Sequence, residues 1–286
     1  MTGEAVGPAP LYPLLYEPLV RRALEEDLGR AGDLTSDACL PSDLQGEARL
    51  VVRRAGRIAG LDVALSAFRI LDPSVETVAH RCDGDDAESG AVLATVRGSA
   101  RAILSAERTA LNLLGHLSGI ATVTRDLVAV VAPHGAQVVC TRKTTPGLRA
   151  LEKYAVRCGG GANHRFGLDD AVLIKDNHRA LAGGLTPAVE RARRHVGHLV
   201  KIEVEVDSLE QLREALNLGV DVVLLDNMPL DTLREAVRLA KGRAITEASG
   251  GIRPDTAAAI AATGVDLLSV GWLTHSAPAL DVALDI

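Results

Sequence analysis

Aromatic residues are nearly missing from this chain: one Trp, three Tyr and two Phe among 286 residues. Hydrophobic residues still make up 47%, so the core has to be built from Ala, Val, Leu and Ile, a composition that suits helices packed on strands. Cysteine is equally sparse. Cys39, Cys82, Cys140 and Cys158 are scattered, with no CxxC pair and no metal-ligand spacing, which argues against a zinc centre and for reduced thiols in a cytoplasmic protein. The opening residues, MTGEAVGPAPLYPLLYEP, lack the basic-then-apolar order of a signal peptide. No apolar run reaches the length of a membrane span. Positive charge is in deficit overall, with 31 Lys and Arg against 37 Asp and Glu and a formal net charge of -6.

One stretch runs against that average. From Arg142 to Arg165 the chain carries Lys or Arg at 142, 143, 149, 153, 157 and 165, against the single acid Glu152. A concentrated positive region in an acidic protein points to a small anionic ligand rather than a nucleic-acid surface. Arg149, Lys153 and Arg157 fall at i, i+4 and i+8 and read as a solvated helix face. Arg142, Lys143, His164, Arg165 and Lys175 sit instead beside apolar strand-like runs or glycines, where site residues gather.

The length suits one large or two modest domains. Residues 1–11 are rich in Gly, Pro and Ala and are expected to be loosely docked. A helix is expected from about Pro18 to Gly29, then the turn-rich GDLTSDACLP, then a strand, a glycine turn and a helix through GEARLVVRRAGRIAGLDVALSAFRIL. Residues 75–103 read as short strands around DGDDAESG, so the first hundred residues predict an α+β unit with antiparallel strands. A helical pattern follows from Ser105, a candidate N-cap, with Gly115 and Gly119 interrupting it and a domain boundary near there. Beyond it, apolar strand candidates at 136–142, 171–175, 200–206, 220–226, 244–247 and 267–270 alternate with helical patterns. Repeated βα units predict a parallel sheet or barrel, with six strands rather than the usual eight. The expected fold class is therefore α/β, with an N-terminal α/β sandwich domain over residues 12–118, joined by the tail 277–286, and a partly open six-stranded (β/α) barrel over 119–276.

In parallel α/β folds, ligands bind beyond the carboxyl ends of the strands. There the sequence places Arg142-Lys143, Lys175-Asp176, Glu203 with Glu205, Asp226-Asn227, Ser249-Gly250-Gly251 and Gly271. The glycines after the last two strands suit a phosphate held by backbone N–H groups. Glu205 and Asp226 suit ribose hydroxyls or a phosphate-bound Mg²⁺. Arg142, Arg165 and Lys175, with His164 nearby, suit a ligand with two carboxylates. Glu203 reads equally as an interior acid paired with a lysine. Lys201 is out of phase and faces outward, and His116 and His275 read as structural groups.

These residues lie in stretches that resemble the quinolinate phosphoribosyltransferase family, the carboxylating nicotinate-nucleotide diphosphorylases. The matching stretches are EDLGRAGDLTS (26–36), AERTALNLLGHLSGIAT (106–122), TRKTTPGLRALEKYAVRCGGGANHR (141–165), VLIKDNH (172–178), IEVEVDSLEQ (202–211), VVLLDNM (222–228), EASGGI (247–252) and VGWLTHS (270–276), in the order the family has them. The resemblance implies conversion of quinolinate and phosphoribosyl pyrophosphate to nicotinate mononucleotide, pyrophosphate and CO₂, with Mg²⁺. It also implies a homodimer with shared active sites, sometimes assembled further. Carried over by motif, Arg108 would reach quinolinate from the neighbouring subunit, and Arg142, His164, Arg165 and Lys175 would complete that pocket. Lys143, Glu205 and Asp226 would face the phosphoribosyl pyrophosphate, and Ser249, Gly250, Gly251 and Gly271 would hold its phosphate. The catalytic set so implied is Lys143, Lys175, Glu205 and Asp226. Trp272 departs from the small residue expected there and is expected to point away from the ligand. Three other readings compete: a molybdenum-associated paralogue acting on a different base or anion, a Schiff-base aldolase using Lys175, and a non-catalytic anion-binding barrel.

Overall fold

The structure is a computed structural model and describes residues 8–286. Most of the stretch expected to be loosely docked, residues 1–7, lies outside the described residues. The helices are α1 (Glu17–Leu28), α2 (Leu34–Cys39), α3 (Leu61–Leu71), α4 (Ala100–Val131), α5 (Arg149–Cys158), α6 (Asp176–Ala182), α7 (Leu185–His195), α8 (Leu209–Asn217), α9 (Leu230–Ala240), α10 (Pro254–Ala261) and α11 (Trp272–His275). The strands are β1 (Gln45–Val52), β2 (Gly56–Arg57), β3 (Glu76–Ala79), β4 (Asp86–Ala87), β5 (Val92–Ser99), β6 (Gln137–Val139), β7 (Val172–Ile174), β8 (Ile202–Val206), β9 (Val222–Asp226), β10 (Ile245–Ser249), β11 (Leu267–Ser269) and β12 (Val282–Asp285). By their contacts the residues fall into two units. Among the described residues, one comprises 8–125, 144–160 and 273–286, and the other 126–143 and 161–272.

The first unit is built on an antiparallel sheet in the order β12-β1-β5-β3. Leu50, Val52, Ala94 and Val96 alternate onto its buried side, and Phe68 of α3 is fully enclosed. The segment GDLTSDACLP is not merely turns. It forms α2, because the Asp33 side chain caps it by accepting from the Thr35 and Ser36 amides at 3.1 and 3.0 Å. Ser105 is not an N-cap either: α4 starts five residues earlier, at Ala100, and the Ser105 hydroxyl donates to Asp33 at 2.9 Å.

Gly115 and Gly119 do not break α4. They are where the C-terminal segment crosses it. A Cβ on Gly119 would lie 2.1 Å from the Pro278 carbonyl oxygen, and one on Gly115 would lie 2.9 Å from that of Leu280. The approach lets the Leu280 amide donate to the Gly115 carbonyl at 2.8 Å, and β12 then pairs with β1. By length and composition Ala100–His134 could cross a membrane, although no unbroken apolar run suggested it. More than half of its apolar window is buried in the protein, as in a core helix.

Nor is the face of α5 carrying Arg149, Lys153 and Arg157 a solvated one, because Lys153 is 2% exposed. The helix packs so closely that Glu152 is also fully buried, accepting from His116 at 2.9 Å and from the Thr145 amide at 3.0 Å. The structural reading of His116 therefore has a concrete partner.

The second unit is a six-stranded parallel sheet in the order β6-β11-β10-β9-β8-β7. β6 and β7 are the two ends of that order and do not pair, so the barrel is open between them. Residues 161–165 run into this gap. The Ala162 amide donates to Val138 at 2.8 Å, its carbonyl accepts from Cys140 at 3.1 Å, and Val139 and Ala162 form a parallel bridge. The strands are near-continuous apolar runs because helices and the barrel interior cover their two faces. The expected α/β class, with an antiparallel N-terminal sheet and a partly open six-stranded barrel, is what the chain adopts.

Candidate active site

Strand register places the side chains that matter. Leu173 pairs with Glu203, which pairs with Val222; Glu205 pairs with Leu224, which pairs with Glu247; Asp226 pairs with Ser249. Because side chains alternate with period two, Lys175 falls level with Glu205 on the inward face, and Asp226 and Ser249 sit one pleat further toward the rim. A cavity of about 290 Å³ opens at this carboxyl end, lined by Thr141, Arg142, Lys143, His164, Arg165, Leu173, Lys175, Leu224, Glu247, Ser249 and Ser269.

The structure thus brings Arg142, Lys143, His164, Arg165, Lys175 and Ser249 to one space. Glu205 joins them through Lys175, whose ammonium donates to it at 2.9 Å. Asp226 stands at the adjoining rim and accepts from the Asn227 amide side chain at 2.9 Å. Gly250 and Gly251 have φ of 94° and 59°, a backbone that disfavours side chains. A Cβ on Gly250 would lie 2.1 Å from the Asn227 side-chain oxygen, so the loop after β10 can fold over the loop after β9 only with glycine there. Gly271 stands two residues beyond the end of β11, immediately before α11. Trp272 does not line the cavity; its indole N–H donates to the Ile252 carbonyl at 2.9 Å. Arg108 belongs to the other unit, where its side chain is 66% exposed beside a cavity of about 340 Å³ formed with Asp33, Leu104 and Ser105.

The interior acids differ from expectation. Glu203 is buried but pairs with His164, not with a lysine, at 2.9 Å. Sequence reasoning missed Glu247 altogether. It lies two residues before Ser249 on the same strand, and that period-two relation was the available signal. Burial, reinforced by the charge of Glu203, pushes the Glu247 carboxyl up to about 7, while His164 pulls the other way. Thr141 and Ser269 were also missed; single hydroxyls at strand ends carry no distinctive pattern. Burial and then neighbouring Arg142 lower the Arg165 guanidinium below its usual value, though an arginine so placed stays cationic. Lys201, as expected, faces out, pairing with Asp221 at 2.6 Å.

An open parallel barrel whose rim gathers four cations, two rim carboxylates and a glycine loop is an enzyme scaffold for anionic, phosphate-bearing substrates. Comparison with known proteins makes this specific. Residues 33–118 match the quinolinate phosphoribosyl transferase N-terminal domain and residues 120–285 its C-terminal domain. A protein of Bacillus subtilis (strain 168), named a probable nicotinate-nucleotide pyrophosphorylase [carboxylating], is 46% identical over 96% of this chain and 94% of its own. The nicotinate-nucleotide pyrophosphorylase [carboxylating] of Mycobacterium leprae (strain TN) is 48% identical over 93% of this chain and 95% of its own. Among solved structures, NadC from Streptococcus pyogenes superposes with a TM-score of 0.94 at 40% identity, covering 97% of this chain and 98% of that one. The chain belongs to the quinolinate phosphoribosyltransferase family.

Proposed function

We propose that this protein transfers the phosphoribosyl group of phosphoribosyl pyrophosphate to quinolinate with decarboxylation, giving nicotinate mononucleotide, pyrophosphate and CO₂ for NAD biosynthesis. The observation that carries the reading is the set of four cations, Arg142, Lys143, Arg165 and Lys175, around one cavity at the barrel rim. A pyridine with two adjacent carboxylates needs such a pocket, and arginine forks hold carboxylates in a fixed plane. Membership of a family whose relatives carry carboxylating names does not favour the molybdenum-associated alternative.

The roles follow from placement. Arg142 and Arg165 orient the diacid so that its ring nitrogen faces the sugar carbon, and this positioning supplies much of the rate. As the bond to pyrophosphate breaks, positive charge grows on the ribose and negative charge on the leaving group. Glu205 and Asp226 favour the first, and Lys143 with the Ser249-Gly250-Gly251 loop and Gly271 favours the second. Attack by nitrogen leaves a pyridinium, whose positive charge stabilises the electron pair left on the adjacent ring carbon when the neighbouring carboxylate leaves as CO₂. A proton then replaces it on the ring. Glu205 and Asp226 offer hard carboxylate oxygens on adjacent strands, a donor set that fits Mg²⁺. Mg²⁺ supplies charge neutralisation at the pyrophosphate. Lys175 donates to Glu205 at 2.9 Å, a contact that suits an anion-binding donor better than a Schiff-base nucleophile.

The proposal extends to a cytoplasmic homodimer in which Arg108 serves the neighbouring subunit's site; its exposure on the first unit supports this. CO₂ release from quinolinate that requires both phosphoribosyl pyrophosphate and Mg²⁺, and stops on chelation, is the expected result. Release that is indifferent to the diphosphate would refute the reaction.

A further inference from the structure

Trp272 is the only tryptophan in the chain, and it stands where the family resemblance implies a small residue. It lies outside the cavity that Ser249 and Ser269 line. Its half-buried indole nevertheless has a specific partner, since Nε1–H donates to the Ile252 carbonyl at 2.9 Å. Ile252 immediately follows Ser249-Gly250-Gly251, and Trp272 immediately follows Gly271. One hydrogen bond therefore ties the two glycine loops to each other.

The backbone shows why a tie matters there. The ladder between β10 and β11 pairs Glu247 with Leu267 and Ala248 with Leu268, short of both loops. At its upstream end the first loop is held to the sheet, because the Asn227 amide donates to the Ser249 carbonyl at 2.9 Å. Asn227 is the one non-glycine among the described residues with a positive φ, 51°, a region that asparagine tolerates better than most side chains. Gly250 and Gly251 come next, at φ of 94° and 59°. A Cβ on Gly251 would meet no atom within 4 Å, so packing does not wedge that residue in place. Consecutive glycines are also the loosest backbone a chain can offer. Beyond them Ile252 is 4% exposed, and its carbonyl is the acceptor of the indole. The two mobile residues are thus spanned by two fixed carbonyls, Ser249 held from β9 and Ile252 held from the turn after β11.

A cradle of backbone N–H groups binds an anion well only when its donors already point inward, because ordering them during binding costs affinity. We propose that Trp272 is a positioning residue whose indole latches the loop after β10 to the turn after β11, setting the Gly250, Gly251 and Gly271 amides for one phosphate group. The indole touches no substrate. It acts through the Ile252 carbonyl, so the N–H donor matters and not the ring alone. The inference rests on the reading of these loops as the phosphate site for phosphoribosyl pyrophosphate.

The geometric half is read in the free protein, where a single tryptophan gives a single indole ¹H–¹⁵N signal. Its N–H should exchange with solvent at least about tenfold more slowly than a free indole does. Exchange at the free rate would overturn the proposal without reference to any ligand. Calorimetric titration with phosphoribosyl pyrophosphate and Mg²⁺, in the absence of quinolinate, reads the other half. Trp272→Phe keeps a ring and removes the donor, and should weaken binding about fivefold, the worth of one hydrogen bond. Trp272→Ala should weaken it at least as much. In kinetics Trp272→Phe should raise the phosphoribosyl pyrophosphate KM by the same factor and leave the quinolinate KM where it was, a split that general loosening of the barrel would not produce. A folded Trp272→Phe protein that binds the diphosphate as tightly as the parent would overturn the latch alone. A folded parent that does not bind the diphosphate would overturn the phosphate reading of the loops and the latch with it.

Discussion

Gly119→Ala sets helix propensity against packing. Propensity alone says the change should help, by about 1 kcal/mol for alanine over glycine within a helix. The structure says otherwise. The added Cβ would lie 2.1 Å from the Pro278 carbonyl oxygen and 3.0 Å from the Ala279 Cα. An ordinary carbon–oxygen approach is about 3.3 Å, so the crossing segment has to retreat by about 1 Å. It cannot do so without loosening the Leu280-to-Gly115 hydrogen bond and the seat of Leu280, which is 2% exposed. The hydrogen bond is worth about 1 kcal/mol and the leucine burial about 2 kcal/mol. Against the propensity gain, the net loss is about 2 kcal/mol, with β12 pulled off register on β1 as a further cost. Urea unfolding followed by circular dichroism measures it. Gly115→Ala, with a milder 2.9 Å approach to the Leu280 carbonyl, should fall between Gly119→Ala and the parent. If Gly119→Ala is as stable as the parent or more so, the account of why α4 carries its glycines is wrong.

Other consequences follow from the site. Glu247 is an acid whose folded value is raised above its unfolded one, so the folded state binds the extra proton. Its contribution to stability is fully present below the unfolded value near 4.5 and is lost as pH rises through about 7. Glu247→Gln should accordingly flatten the decline in unfolding midpoint between pH 5 and 8; an unchanged slope would remove Glu247 as its source. Mixing inactive Arg108→Ala with inactive Lys143→Ala under conditions of subunit exchange should recover part of the activity, since one composite site per heterodimer would be intact. No recovery despite demonstrated exchange would place Arg108 outside a neighbour's site. Arg142→Lys replaces a planar fork by a point charge, and should raise the quinolinate KM about tenfold with less effect on the phosphoribosyl pyrophosphate KM.

Much of this was legible in the residues. The βα alternation of the second unit announced itself because each strand is an apolar run closed by a charge or a glycine; five of the six strands lie within their expected stretches, and β10 runs two residues past its own, to Ser249. The cationic cluster was visible because Arg142, Lys143, Arg165 and Lys175 oppose the acidic average. What stayed hidden depended on partners distant in sequence. Nothing local says that Gly119 faces Pro278, that α5 buries Glu152 and Lys153, or that the second neighbour of His164 is Glu247, 83 positions on. The Asp33 cap was readable in principle, since Asp before LTSDAC is an N-cap pattern. The turn-formers around it masked the signal.

The most direct test of the central claim is product formation from quinolinate and phosphoribosyl pyrophosphate with Mg²⁺, run beside nicotinate as the competing base. The account predicts nicotinate mononucleotide and stoichiometric CO₂ from quinolinate and little product from nicotinate, because under the proposed function the second carboxylate would be what the cavity lined by Arg142, Arg165 and Lys175 recognises. Equal turnover of nicotinate, or no product from quinolinate in a folded protein that still binds the diphosphate, would contradict it.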